Sequence, residues 1–342
     1  MKSHRIAVIP GDGIGTEVCR AARAVLDAVG RGHAIDLTYD EFDWSCARYL
    51  DEGAMMPANG LDLIRHHDAI FLGAVGAPGV PDHVSLWGLL IPIRRGFEQF
   101  VNLRPIRVLD GQQAIDLVVV RENVEGEYSE IGGRLYRGTP AEMAVQESVF
   151  TRTGVTRIVD YALDLAEQRS GRLTSATKSN GIIHTMPFWD EIVAERVAER
   201  SSVTMRSEHI DALCAKLVLD PAQFDVIVAS NLFGDILSDL AAAVAGSIGL
   251  APAANIDPTR AHPSMFEPVH GSAPDIVGRG IANPVGAIWT AAMMLDHLGH
   301  PEASANILAA IGSVFAKSSV RTPDLGGTAT TADMTLAIVE AL

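Results

Sequence analysis

The sequence is short of cysteine, of aromatic side chains and of positive charge. Cys19, Cys46 and Cys214 form an odd set with no CxxC spacing. That excludes a disulfide framework or a thiolate zinc site as the organising feature, and reduced thiols fit a cytoplasmic protein. Lys and Arg number 27 against 42 Asp and Glu, a formal net charge of −15. The imbalance opposes a general electrostatic grip on nucleic acid or on an anionic membrane, while leaving room for a local basic pocket. No apolar stretch approaches the roughly 18 residues of a membrane span. The opening MKSHRIAVIPGDGIG runs into a strand and a glycine turn, where a signal peptide would carry an apolar core. Internal repeats, low-complexity tracts and long linkers are also missing. What these absences leave is a soluble globular protein, and at roughly 150 residues per domain the 342 residues suggest two domains.

What is there is a rich core and many turns: 48% of residues are hydrophobic, and Gly at 31 outnumbers Pro at 17. Short β-branched runs alternate with amphipathic stretches. Arg5 to Ile9 reads as a buried strand, GDGIG as its turn, and Thr16 to Val29 as a helix with apolar Val18, Ala22, Val25, Leu26 and Val29 near the 3.6 period. The pattern returns at Ala69 to Leu72 before GAVGAPG, at Asp116 to Val120 before Arg121, and at Asp225 to Ala229 before SNLFG and a helix from Asp235 to Ala245. Strands interleaved with helices predict an α/β architecture whose functional loops gather at the carboxyl ends of the strands. One segment breaks the rhythm. Gly126 to Arg152 has two alternating polar and apolar runs with Gly132-Gly133 as the turn, which predicts a β-hairpin. Such a hairpin needs cover: it is either a homodimer arm or folded back on its own domain.

Three clusters could carry chemistry. In NLFGDILSDL, Asp235 and Asp239 are four apart on one helix face. They would suit a hard divalent cation, or equally a helix dipole if they lie in the first turn. Arg94 and Arg104 flank GFEQFVN, and Arg121 follows DLVVV. Guanidinium groups at element ends suit bidentate recognition of a small dianionic acid, whereas Arg95 reads as solvated surface. The Gly- and Pro-rich EPVHGSAPDIVGRGIANP, Glu267 to Pro284, is a structured loop or a plain connection. Gly11, Gly13 and Gly15 follow a strand, yet their spacing is not GxGxxG, so the dinucleotide fingerprint of a classical Rossmann fold is missing. Taken singly, Lys178 in TKSN, Asp211 in EHIDALCAKL and Tyr128 in GEYS would be surface or packing residues.

Taken together and in order, PGDGIG, NLRP, VRENVEGEY, TKSN, NLFGDILSDL and EPVHGSAPDI resemble the β-decarboxylating dehydrogenases, the family of isocitrate and isopropylmalate dehydrogenases, over nearly the whole chain. FDW near Phe42, GAMMPANGLD, GAVGAPGVPDHVSLWG and VQESVFTRTGVTRI are similar to its tartrate and D-malate branch. The resemblance implies an isopropylmalate dehydrogenase-like two-domain α/β/α sandwich, not a classical Rossmann fold. The cofactor domain would be discontinuous, 1–100 plus 246–342. Residues 101–245 would form the substrate, metal and dimerisation domain, with a β-hairpin dimer arm at about 126–152. It also implies a homodimer with active sites shared between chains, acting on a small hydroxy acid, with no nucleic-acid or membrane partner.

By the same resemblance, Arg94, Arg104 and Arg121 are the carboxylate clamp. Asp235 and Asp239 of one chain with Asp211 of the other hold Mn²⁺ or Mg²⁺. Lys178, also expected from the other chain, is the general base and Tyr128 the acid. Asp275 would meet the adenosine ribose, accepting its hydroxyls and repelling a 2′-phosphate, so NAD is expected over NADP. His270, Gly271, Ser272, Ala273, Ile276 and Asn283 would line the adenine pocket, and K⁺ is a family expectation. The segment Ser85 to Leu90 would face the substrate's C3. There Gly88 and Leu90 stand where isocitrate enzymes have polar residues, and Trp87 leaves room for little beyond hydrogen or hydroxyl. The activity implied is NAD-dependent oxidation, with decarboxylation, of D-malate or a tartrate. 3-Isopropylmalate dehydrogenase is the alternative within the family, and a metal-dependent phosphoester hydrolase the alternative of another class.

Overall fold

The computed structural model describes residues 2–108 and 115–342, which group into two compact units. The first comprises the described residues within 1–99, 104–115 and 242–342, the second residues 100–103 and 116–241. The chain passes from one to the other within the strand Val101–Arg107.

In the first unit the strand Lys2–Gly11 lies between Ile35–Glu41 and Ala69–Ala74, both parallel to it. Beyond Ala69–Ala74 comes Ser264–Pro268, also parallel, and then Pro252–Ile256, antiparallel. The sheet is therefore mixed, and its strand order differs from the 3-2-1-4-5-6 order of a classical Rossmann domain. Its central strands are buried on both faces: Ile6 to Ile9 and the whole of Ala69–Ala74 are enclosed. That is why they read as continuous apolar runs instead of alternating ones. The first helix runs Gly15–His33 and buries Val18, Ala22, Val25, Leu26 and Val29, the stripe the period predicts.

The glycine turn is a packing device. Gly11 and Gly13 have left-handed backbones at φ 70° and 59°. A Cβ on Gly13 would stand 2.1 Å from the carbonyl oxygen of Ser272, to which Ile14 N–H donates at 3.0 Å. Between the two glycines, the buried carboxylate of Asp12 accepts from Cys46 N–H at 3.0 Å and Gly76 N–H at 3.1 Å. The turn thus ties three chain segments together at the carboxyl end of its strand.

In the second unit, Asp116–Glu122, Val226–Ala229, Arg172–Thr177 and Thr204–His209 pair in that order, all parallel. The Thr151 side chain caps the helix Arg152–Gln168 by accepting from Gly154 N–H. The hairpin exists, with a different turn from the one expected: Gly132 and Gly133 open the strand Gly132–Leu135, which pairs with Met143–Gln146, and the reversal runs through residues 136–142. Gly132, at φ 157°, is needed inside the ladder because a Cβ there would stand 2.1 Å from the Val145 carbonyl oxygen. Every residue of the two strands is exposed, including Leu135 and Met143, with Ile131 and Tyr136 beside them.

Gly13→Ala should lower stability by at least about 1–3 kcal/mol, since it adds a clash to a left-handed backbone. Equilibrium urea denaturation measures it, and an unchanged midpoint would contradict the packing role.

Candidate active site

In the second unit, candidate residues stand at the carboxyl ends of all four parallel strands. Arg121 closes Asp116–Glu122, Lys178 follows Arg172–Thr177, and Asp211 follows Thr204–His209 in the first turn of the helix Ile210–Leu219. After Val226–Ala229 comes the helix Asn231–Val244. That helix begins four residues before the expected start, so Asp235 and Asp239 lie beyond its first turn. The helix-dipole explanation for the pair fails on this geometry.

Arg121 is 2% exposed. A guanidinium taken out of water must be bonded. Its Nε and Nη2 donate to Asn231 Oδ1 at 3.1 and 2.7 Å, and Nη1 donates to Asp235 Oδ1. The other oxygen of Asp235 accepts from Tyr128 Oη at 2.8 Å. One carboxylate therefore gathers the guanidinium and the phenol. Gly234 permits this, because a Cβ there would lie 2.6 Å from Arg121 Cβ. Asp239 is exposed one turn further on. Lys178 Nζ donates to Asp211 Oδ1 at 2.6 Å, and this ammonium holds the Asp211 carboxyl below the usual carboxylate range.

Three residues that motif reading passed over hold this arrangement. Glu127 accepts from Ser230 Oγ at 2.7 Å and Leu232 N–H at 3.0 Å, fixing the helix start. Glu125 accepts from Thr151 N–H and Oγ at 3.0 and 2.8 Å. Glu122 is fully buried, with one oxygen accepting from Val124 and Glu125 N–H at 3.0 and 2.8 Å. Burial pushes its carboxyl up to about 8, so it is protonated at neutral pH. The available signal was VRENVEGEY itself, three carboxylates beside Arg121 in one short loop.

In the first unit a pocket is lined by Leu90, Arg94, Arg104, Glu267, His270 and Gly271, together with the strand ends Leu72–Val75. Arg94 Nη2 donates to Glu267 Oε1 at 2.6 Å, and Asn255 Nδ2 donates to the same oxygen at 2.8 Å. The Nε of Arg94 is buried without a partner, a donor suited to an added carboxylate. His270 Nε2 is likewise buried and unbonded, and burial pushes this imidazole's pKa down. Glu267 was not singled out from the sequence, although it opens the EPVHGSAPDI motif.

The remaining expected residues are placed as follows. Ser272 is buried against the glycine turn, Ala273 has a left-handed backbone, and Ile276 N–H closes a turn onto the Ala273 carbonyl. Asp275 is exposed on that turn. Asn283 is buried, its Nδ2 donating to Asp324 at 2.9 Å and its Oδ1 accepting from Val285 N–H. Trp87 and Leu90 lie on the π-turn Leu86–Leu90, a form that recurs at functional sites. Leu90 faces the pocket with Arg94, whereas Trp87 is not among the pocket's lining residues. The guanidinium of Arg95 sits 5.1 Å from the Trp87 ring centroid, so Arg95 is no mere solvated charge.

The sequence profile of the isocitrate/isopropylmalate dehydrogenase family matches residues 5–338. The chain belongs to this family. It is 52% identical to the probable tartrate dehydrogenase/decarboxylase of Bacillus subtilis (strain 168), covering 98% of this chain and 97% of that one. It is also 52% identical to the D-malate dehydrogenase [decarboxylating] of Escherichia coli (strain K12), covering 99% and 98%. Among solved structures, isocitrate dehydrogenase from Methylococcus capsulatus matches with a TM-score of 0.89 at 36% identity, covering 99% of each chain. Family membership makes the protein a dehydrogenase and sets the phosphoester hydrolase aside. No helix among the described residues is long and apolar enough to cross a membrane.

Gly234→Ala should displace Arg121 and lower activity by at least about tenfold while leaving the fold intact, a drop of roughly 1.4 kcal/mol in transition-state stabilisation. Steady-state kinetics measures it. Glu122 binds a proton in the folded protein that it releases on unfolding between its ordinary value of 4.5 and about 8. Its contribution to stability is therefore present below the lower value and lost as pH rises through the upper one. Glu122→Gln should flatten the fall of stability between pH 5 and 8, followed by urea unfolding across that range. An unaltered pH dependence would contradict the buried neutral carboxyl.

Proposed function

We propose that the protein oxidises a compact 2-hydroxy dicarboxylic acid, D-malate or a tartrate, with NAD and a divalent cation. For D-malate the products are pyruvate and CO₂. The observation that carries this reading is the single carboxylate of Asp235 bonded to both Arg121 and Tyr128. It puts a carboxylate-binding cation, a phenolic acid and a hard oxygen donor within one bond network. Relatives named for tartrate and D-malate, alike over essentially the full length, support the substrate class.

In this reading Arg94, Arg104 and Arg121 bind the substrate's carboxylates, and each charge-assisted bond contributes about 1.5–3 kcal/mol against desolvation. The buried Nε of Arg94 is one donor for that purpose. Lys178 takes the hydroxyl proton as hydride leaves the same carbon for nicotinamide. Tyr128 protonates the enolate left when CO₂ departs. Leu90, which lines the pocket, restricts the substituent at C3, with Trp87 acting from the same π-turn.

Asp235 and Asp239 of one chain, with Asp211 of a second copy, offer the all-carboxylate donor set that Mg²⁺ or Mn²⁺ takes. Such an ion supplies Lewis-acid polarisation of the substrate's oxygens. In this reading the ligand set is completed only when the second copy brings its Asp211. The exposed apolar hairpin, with Ile131, Leu135, Tyr136 and Met143, is the arm that a second copy would cover. Asp275, exposed on the turn after Ser272, favours NAD over NADP by repelling a 2′-phosphate. His270, Gly271, Ser272, Ala273, Ile276 and Asn283 complete the adenine side, and a cytoplasmic setting suits NAD-linked oxidation.

Purified protein with NAD and Mn²⁺ should yield reduced NAD and CO₂ from D-malate, with kcat/KM for 3-isopropylmalate lower by on the order of 10². Comparable turnover of the two acids would overturn the substrate assignment. Lys178→Met should lower kcat by roughly 10²–10⁴. A surviving rate with the same pH profile would remove the lysine from the role of base.

A further inference from the structure

Six of the eleven histidines collect at the end of the first unit's sheet opposite the pocket just described. His4, His66, His67, His262 and His297 line one cleft with Arg65, Asp68 and Arg260, and the sixth, His300, touches His4 ring to ring, Nε2 to Nε2 at 2.8 Å. The cleft lies at the amino ends of Ala69–Ala74 and Ser264–Pro268. The Arg94 pocket takes the carboxyl ends of the same strands, roughly 17 Å of strand away. In a chain of net charge −15, a cleft lined by two arginines and a single carboxylate runs against the average.

The cationic groups are held in place. Arg260 stands on a turn with a left-handed backbone, φ 57°, a conformation that L residues with long side chains seldom adopt. The turn is fixed by the buried Asp257, which accepts from Thr259 N–H at 2.9 Å, Thr259 Oγ at 2.7 Å and His262 N–H at 3.0 Å. Gln99 Nε2 secures it further on the Pro263 carbonyl at 2.8 Å. The His262 ring stacks on Phe97 with centroids 5.6 Å apart, and the Arg65 guanidinium sits 5.6 Å from the centroid of the same ring. His262 Nδ1 is buried without a hydrogen bond.

Among the described residues Asp68 is the one acid lining the cleft, and the other acids nearby are committed elsewhere. Asp68 Oδ2 accepts from Arg5 N–H at 2.7 Å, Asp40 is held by Arg5 and by His67 Nε2, and Asp257 spends both oxygens on its own turn. Among the described residues Arg65 pairs only with Asp62, at 3.5 Å on the exposed surface, a weak tie. No acid pairs with Arg260 among the described residues. A metal is disfavoured by the two guanidinium groups, and the described residues offer no metal-type cluster. His297 is pushed down to about 4, first by burial and then by Arg260, so at neutral pH it contributes hydrogen bonding and no charge.

We propose that this cleft binds a small, multiply charged anion of the phosphate class, held by Arg65 and Arg260 with His66, His262 and His297 completing the shell. Donors on separate elements approach from several directions. That suits tetrahedral, oxygen-dense phosphate better than a planar carboxylate, which is served by one guanidinium fork. The inference does not depend on the dehydrogenase's substrate.

Isothermal titration calorimetry with inorganic tripolyphosphate at pH 7.5 and low salt should give saturable binding, one ion per chain. Arg65→Ser with Arg260→Ser should weaken it by at least about tenfold, with melting temperature and turnover unchanged in the absence of the anion. Arg260→Gln alone, on an exposed turn, should give a partial loss and serves if the double variant does not fold. Citrate should bind at least about tenfold more weakly than tripolyphosphate. Absence of saturable binding would overturn the proposal. So would a double variant that binds like the parent, which would assign the anion to the Arg94 pocket, and so would equal affinity for citrate.

Discussion

The buried guanidinium of Arg121 is the constraint on which the second unit's chemistry depends. A permanent charge at 2% exposure is tolerable only with its donors satisfied. Asn231 and Asp235 satisfy them from the first two turns of one helix. That demand fixes how closely the helix must lie on the strand end, and hence the absence of a side chain at position 234. It also fixes the orientation of Asp235, which then meets Tyr128 with its second oxygen. Glu127 and Glu125 clamp the loop that carries Tyr128 to the same helix start and to Thr151. Arg121, Asp235 and Tyr128 are each held by another polar group of the site.

The first unit follows the same rule with a second buried guanidinium. Arg94 is paired with Glu267, which Asn255 steadies from the antiparallel neighbour strand. Two of the three are thereby spoken for by protein, while the Nε of Arg94 is left for something else. Next to them, the loop from Val269 onward is held through Ser272 against the glycine turn. The glycines are needed because main chain meets main chain there. A phosphate-binding fingerprint is a separate requirement, with a different spacing.

The same unit gathers a second set of basic groups, Arg65 and Arg260, at the far end of its strands, Arg260 on a turn whose hydrogen bonds come from Asp257. Acid is in excess over the whole chain, yet locally the carboxylates are consumed by backbone and ring N–H groups. Net charge is a property of the sum, and a binding cleft responds to what remains unpaired within a Debye length or so.

How much could be read without coordinates differs from residue to residue. The alternation of strands and helices, the apolar stripe of Gly15–His33 and the strand ends bearing Arg121, Lys178 and Asp211 are local consequences of periodicity, and short-range pattern suffices for them. The motif order was enough to indicate the family. The start of the helix at Asn231 was misplaced because SNLFG reads as a loop. Its capping partner Glu127 lies over a hundred residues earlier in the chain. Gly132-Gly133 looked like a turn because glycine pairs usually are, whereas here Gly132 lets a neighbouring carbonyl approach within the ladder. Sequence alone thus determined which elements form and which side chains stand at their ends. Tertiary structure decided which of those side chains share a hydrogen bond, which lose their water and so must pair, and which stay available. Desolvation and pairing are set by neighbours distant in the chain, and no local pattern records them.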